Sequence, residues 1–210
     1  MQLNDVKYDC LHFRGHIPCG PNKQDGSVCA GCAHYRRAGK RILVIKLGAM
    51  GDVIRTTPLV VRFREEDPDC HITWVTLSPD ILPKAHINEI YRYDATSLFV
   101  LSRLRFDVAV NLDKEPEACL LLREVEAGEK YGFTWEGGHV APATPRAAHK
   151  IMTGLFDGLS QSNTKSYLEE IFEICHRDFR GEPYLMDVRA DHDAKWRARL
   201  AELSGGRPVV

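Results

Sequence analysis

No apolar stretch in the 210 residues approaches the roughly 18 to 20 uncharged positions needed to span a bilayer. The start, MQLNDVKYDC, has neither the basic nor the apolar region of a signal peptide. The expected location is therefore the cytoplasm. Net charge is nearly absent too, with 28 Lys and Arg against 29 Asp and Glu. That excludes the strongly basic balance of a general nucleic-acid binder, and nucleic acid is not an expected partner. Internal repeats and low-complexity tracts are lacking, which excludes repeat architectures. The first 40 residues lack sustained apolar periodicity while carrying five glycines and two prolines. An arm of that texture cannot build a core from its own side chains, so something other than hydrophobic burial must order it.

What is present reads as a globular domain. The hydrophobic fraction of 44% and charged fraction of 27% match ordinary soluble domains. The length allows one full domain plus additional pieces, since domains commonly run about 100 to 200 residues. The texture changes at Arg41, where Ile42, Leu43, Val44 and Ile45 form a continuous apolar run of the kind found in strands buried on both faces. A glycine turn follows at 48–52 (GAMGD), with a short turn of helix after Gly51. Leu59, Val60 and Phe63 then recur at helical spacing behind Thr57-Pro58, an N-cap and first-turn pair. Further strands are expected at 71–77, 90–94, 107–113 and 131–135, with helices between and after them, as at 115–126. Residues 136–145 read as a loop. Residues 163–166 precede an amphipathic helix with Leu168, Ile171, Phe172 and Cys175 inward, 191–203 read as a polar helix, and 207–210 (RPVV) as the start of another buried strand. Alternating strand and helix predicts an α/β fold, a Rossmann-like parallel sheet covered on both faces by crossovers.

Open parallel sheets bind ligands beyond the carboxyl ends of their strands, so the turn after the first strand is the place to look for a site. Gly48-x-x-Gly51 is neither a dinucleotide fingerprint nor a P-loop, and no acidic residue closes the second strand, which ends in VTLS. Dinucleotide binding is disfavoured. The glycines permit a tight turn and close backbone approach, and they place Asp52 in the first helical turn, where the dipole favours a carboxylate. Such a carboxylate can take a proton from a hydroxyl; the competing reading is a helix cap. Arg55 suits bidentate contact with phosphate oxygens or is a surface arginine. Lys114, in Asp113-Lys114-Glu115 beyond the fourth strand, can neutralise a phosphate, or the trio is a solvated junction capped by Asp113. Residues 36–64 hold eight Lys or Arg against one acid, Asp52, which fits an anionic ligand or a solvated basic face.

Seven cysteines are present, and four of them, Cys10, Cys19, Cys29 and Cys32, crowd into the arm with intervals of eight, nine and two residues. Clustered cysteines in a reducing compartment point to metal, and four thiolates suit a structural zinc ion. An iron-sulfur cluster and reduced or disulfide-forming cysteines are the alternatives. His12, His16 and His34 lie close enough to replace one ligand, while His71, His86, His139 and His149 fall at no ligand spacing.

The stretch RILVIKLGAMGDVIRTTPLV (41–60) resembles the opening motif of glycosyltransferase family 9, the heptosyltransferases of lipopolysaccharide core assembly. FDVAVNLDKEPEA (106–118), KYGF (130–133) and RPVV (207–210) resemble that family in order and approximate spacing. The resemblance covers 41–135 well and the rest loosely. It implies the N-terminal half of a GT-B architecture, two Rossmann-like domains with acceptor bound mainly by the first and a nucleotide-sugar donor mainly by the second. It implies that Asp52, matching the aspartate of the family's glycine-aspartate motif, is the general base. It further implies inverting transfer of heptose from ADP-heptose without a metal in the transfer step. Gly48, Gly51, Arg55 and Lys114 would serve the acceptor, an anionic lipopolysaccharide-like glycolipid at the membrane surface, which leaves peripheral association with the inner membrane open.

The expected organisation is a Cys-rich zinc-binding arm at 1–38, a Rossmann-like acceptor-side domain at 39–190, and at 191–210 a linker helix with the start of a donor-binding domain. The rivals are another nucleotide-binding Rossmann enzyme, which would want the phosphate-binding glycine pattern that is absent, and a zinc-dependent nucleic-acid-binding module. The latter would want interleaved basic and aromatic residues around the cysteines, where Tyr35-Arg36-Arg37 is the only trace.

Overall fold

A computed structural model describes residues 2–187, 190–205 and 207; the strand expected at 207–210 lies outside them apart from Arg207. After a 3-10 turn at Leu3–Asp5 and the short helix α1 (Gly20–Asp25), the chain enters β1 (Arg41–Ile45), α2 (Met50–Thr56), α3 (Pro58–Glu66), β2 (His71–Thr76) and β3 (Glu89–Arg92). Then follow α4 (Ala95–Leu101), β4 (Arg105–Asn111), α5 (Pro116–Glu124), β5 (Glu126–Glu136) and β6 (His139–Pro142). The remaining helices are α6 (Ala148–Leu155), α7 (Asp157–Ser162), α8 (Tyr167–Ile174) and α9 (Ala190–Ser204).

The sheet runs β3-β2-β1-β4-β5-β6, parallel throughout except for the antiparallel β6 at its edge. β1 lies inside the sheet, with Ile45 opposite both Val75 of β2 and Asn111 of β4. Its alternate residues serve different cores. Ile42 and Val44 pack with Leu59, Val60 and Phe63 of α3 and Phe172 of α8, whereas Leu43 and Ile45 pack with Leu101 of α4 and Leu121 and Leu122 of α5. Both faces are therefore covered, which is why this strand is a continuous apolar run and not an alternating one. Each such side chain contributes about 1.5 to 3 kcal/mol when fully buried, so a polar replacement at Ile42, Leu43, Val44 or Ile45 would be severe.

The segment read as a loop at 136–145 contains β6. Gly137 and Gly138 have φ of 57° and 87° and join paired residues Glu136 and His139, a two-residue hairpin that demands left-handed backbone at both positions. β5 also begins earlier than expected. Its Gly132 has φ 93°, and a Cβ there would stand 1.7 Å from the Asn111 carbonyl oxygen, so no other residue fits against β4. Thr57 does not cap α3 with its hydroxyl. α2 runs directly into α3 with Thr57 already helical, and its Oγ1 donates to the Ile54 carbonyl at 2.7 Å and accepts from the Leu185 amide at 2.9 Å.

That last contact belongs to a segment after α8 that returns across α3. A buried Arg62–Glu182 ion pair holds it, and Phe179 sits edge-on to Phe172 with ring centres 5.2 Å apart. At the opposite end, the cysteine arm meets the amino edge of the sheet: Arg36 pairs with Asp69 before β2, and Arg14 donates to the Asn88 carbonyl before β3 at 2.5 Å. Among the described residues no helix is long and apolar enough to cross a membrane.

Candidate active site

The carboxyl edge of the sheet is built from a buried polar network. The Asp113 carboxylate, just past β4, accepts from the Leu47 amide and the Lys46 ammonium, and Lys46 also donates to the Gly48 carbonyl. Asn111 Nδ2 donates to the carbonyls of Asp113 at 2.8 Å and Phe133 at 2.7 Å, while its Oδ1 accepts from the Asp113 amide at 3.0 Å. The ends of β1, β4 and β5 are thereby tied together. Asp113 is neither solvated nor a helix cap, contrary to one expectation; it is buried, and Glu115 stands at the N-cap of α5 without a side-chain cap bond. Burial pushes the Asp113 carboxyl above its ordinary range, and the Lys46 ammonium pulls against it.

On this base the chain turns through residues 48–51 into α2; the Gly48–Ala49 peptide is cis. Neither Gly48 nor Gly51 has a left-handed φ. A Cβ at Gly51 would meet nothing within 4 Å, and one at Gly48 only Leu77 at 4.0 Å. The turn therefore needs neither glycine for a left-handed backbone or for room at its Cβ. What they provide is open space beside their own Cα atoms, a shelf interrupted by the exposed Met50 side chain between them.

Asp52 stands beside the shelf in the first turn of α2 and does not cap it. Its Oδ1 accepts from Arg55 at 3.2 Å, with the two side chains about equally accessible, at 39% and 46%. The Arg55 guanidinium in turn lies 3.8 Å above the centre of the Tyr167 ring. Burial, reinforced by the Asp52 charge, pushes the Tyr167 hydroxyl well above its usual range, so it is a neutral donor. Lys150 reaches the same ring, 5.4 Å from its centre, and bonds the buried Glu170 at 2.5 Å. Asn163 Nδ2 donates to Glu170 at 3.2 Å, which holds that carboxylate in place.

Lys114 completes the cluster. Its ammonium is seated against α6 where Gly154 leaves room, since a Cβ on Gly154 would fall 1.9 Å from Nζ. Burial first, and the Lys150 charge second, lower its pKa. Arg55 is matched by Asp52 and Lys150 by Glu170, while the charges of Glu115 and Glu170 oppose the lowering at Lys114. Of the residues expected from sequence, Gly48, Gly51, Asp52, Arg55 and Lys114 thus lie along one sheet edge. Lys150, Tyr167 and Glu170 were not foreseen. The capping box of Ser166 and Glu169 marks where α8 starts, but nothing local says that this helix end faces Asp52.

The four arm cysteines lie far from this edge. Together they line one cavity of about 40 Å³, and all are free thiols. Among the described residues no three His, Cys, Asp or Glu side chains stand close enough together to hold a metal ion.

No protein-family model matches the chain, and no curated protein matches it. Among solved structures, a glycosyl transferase family 9 protein from Veillonella parvula aligns with a TM-score of 0.50 and 18% identity over 84% of this chain and 52% of that one. ADP-heptose lps heptosyltransferase II from E. coli aligns with a TM-score of 0.47 and 14% identity over 77% of this chain and 50% of that one. A second E. coli heptosyltransferase, solved with ADP-2-deoxy-2-fluoro heptose, gives 0.45 and 15% over 70% and 50%. The chain spans about half the length of the structures it matches. At these identities the likeness is one of fold, a six-stranded, mostly parallel α/β sheet shared with part of a family 9 glycosyltransferase.

Proposed function

We propose that this chain is the acceptor-side half of an inverting glycosyltransferase in which Asp52 is the general base. The observation that carries the proposal is the placement of Asp52: an accessible carboxylate at the carboxyl edge of β1, held by Arg55, beside the turn at 48–51. A hydroxyl presented across the shelf would give its proton to Asp52 as its oxygen attacks the anomeric carbon of the donor. The bond from sugar to phosphate breaks, and the nucleoside diphosphate leaves with the electron pair. One displacement inverts the anomeric centre and calls for one base and no metal.

Arg55 fixes the carboxylate from one side and rests on Tyr167, so Asp52 is positioned without being covered. Lys114 suits a phosphate on an anionic glycolipid acceptor. The motif resemblance supports a heptose donor, ADP-heptose, and an acceptor of the lipopolysaccharide core type at the membrane surface. The shared fold supports the glycosyltransferase reading. Donor recognition is assigned to a second domain, because the shelf turn offers a carboxylate where a phosphate-binding turn offers amides and a cation.

The test is Asp52→Asn in the two-domain enzyme. Turnover should fall by about two orders of magnitude or more, the scale of a lost general base, with acceptor affinity kept. Turnover near wild type would remove Asp52 from the chemistry.

A further inference from the structure

Residues 2–40 contain one fully buried residue, Pro21, and two short helical turns, Leu3–Asp5 and α1. Hydrophobic burial cannot hold an arm with that inventory. Its four cysteines nevertheless come together from three stretches of chain. Cys10 enters from an isolated bridge with Arg37, Cys19 immediately precedes α1, and Cys29 and Cys32 flank a turn in which the Cys32 amide donates to the Cys29 carbonyl at 3.4 Å. The cavity they line, about 40 Å³, has room for one ion or a few waters. As the side chains stand, no three of them are at metal-holding distance. A cysteine has a single side-chain torsion, however, and each of the four is only partly buried, so each can turn inward without disturbing a packed core.

We propose that Cys10, Cys19, Cys29 and Cys32 close on a single zinc ion, and that this ion, not a hydrophobic core, orders the arm. Soft thiolates select zinc over oxygen-seeking magnesium or calcium, and four protein ligands complete a tetrahedral site with no open position. The role is therefore structural. Lys7 lines the same cavity and offsets part of the negative charge that four thiolates bring to one cation. Order in the arm passes to the sheet through Arg36 to Asp69 and Arg14 to Asn88. Both contacts are at the amino edge, opposite Asp52, so the zinc site and the proposed transfer site stand or fall separately.

The 210-residue chain, purified under reducing conditions, should contain about one zinc per molecule, and Cys29→Ser with Cys32→Ser should lower this to about a tenth or less. In that variant, hydrogen exchange should speed up across residues 2–38 while the amides of β1, β2 and β4 keep their protection. Because the variant can misfold, the unaltered chain supplies the second readout. Replacing zinc with cobalt(II) should give the visible bands and thiolate charge-transfer absorption of a tetrahedral four-thiolate site. A reduced chain without bound metal, whose cobalt(II) complex lacks that absorption, would overturn the proposal, as would iron with the absorbance of a cluster.

Discussion

Lys46 and Asp113 form an ion pair with side-chain exposures of 4% and 5%, and it fastens the end of β1 to the end of β4 directly beneath the shelf that leads to Asp52. The pair explains why two charged residues flank the apolar strands without reaching solvent. It also makes the position of the shelf depend on residues that never touch a substrate.

Asp113→Asn should leave the Lys46 ammonium buried without its charge partner, at a cost of about 3 to 5 kcal/mol. Lys46→Met combined with Asp113→Leu should be less destabilising than either single change, since no charge is then stranded. Urea unfolding of Asp113→Asn, of the two single changes and of the double variant checks this. A single variant within about 1 kcal/mol of wild type would mean that the pair is not what holds the strands.

Gly154→Ala should displace Lys114 and little else, because the atom in the way is the far end of a flexible side chain. Stability should change by less than about 1 kcal/mol, while affinity for a phosphorylated acceptor should drop as it does in Lys114→Ala. An unchanged acceptor affinity in Gly154→Ala would detach Lys114 from acceptor binding.

His71 supplies a pH dependence. Burial holds its imidazole at about 4, below the ordinary 6.5; Glu89 opposes the shift, and Arg41, Arg14 and Arg64 add to it. Its Nδ1 has no hydrogen-bond partner, and Nε2 is 4.0 Å from Glu89. The folded chain thus binds this proton less readily than the unfolded one. The stability tied to neutral His71 is present above pH about 6.5 and lost toward pH about 4, at a slope of up to about 1.4 kcal/mol per pH unit. Urea midpoints at pH 7 and pH 5 should fall further for wild type than for His71→Leu; equal losses would contradict the assignment.

Much of this was legible in the sequence where one residue type has one physical use. The run Ile42, Leu43, Val44, Ile45, mostly β-branched and closed by a glycine turn, fits a strand covered on both faces, and a carboxylate after such a turn falls at the sheet's ligand-binding edge. Pairings across the chain were not legible. Asp113 looks like a helix cap until Lys46, 67 residues earlier, is seen to claim it. Glu170 and Lys150 look like the polar faces of two helices until α6 and α8 bring them to one ring, that of Tyr167. Gly137-Gly138 reads equally as a loop or as a hairpin turn, and only the pairing of β5 with β6 decides.

The central claim, that this chain carries the acceptor side of a glycosyl transfer, is tested most directly by calorimetry on the 210-residue protein with the two substrates in turn. A phosphorylated lipopolysaccharide-core acceptor should bind, and binding should weaken in Lys114→Ala, while ADP-heptose should bind weakly or not at all, because the turn at 48–52 offers its diphosphate a carboxylate in place of a row of amides. Micromolar binding of ADP-heptose with no binding of the acceptor would contradict the account and make this a nucleotide-binding domain.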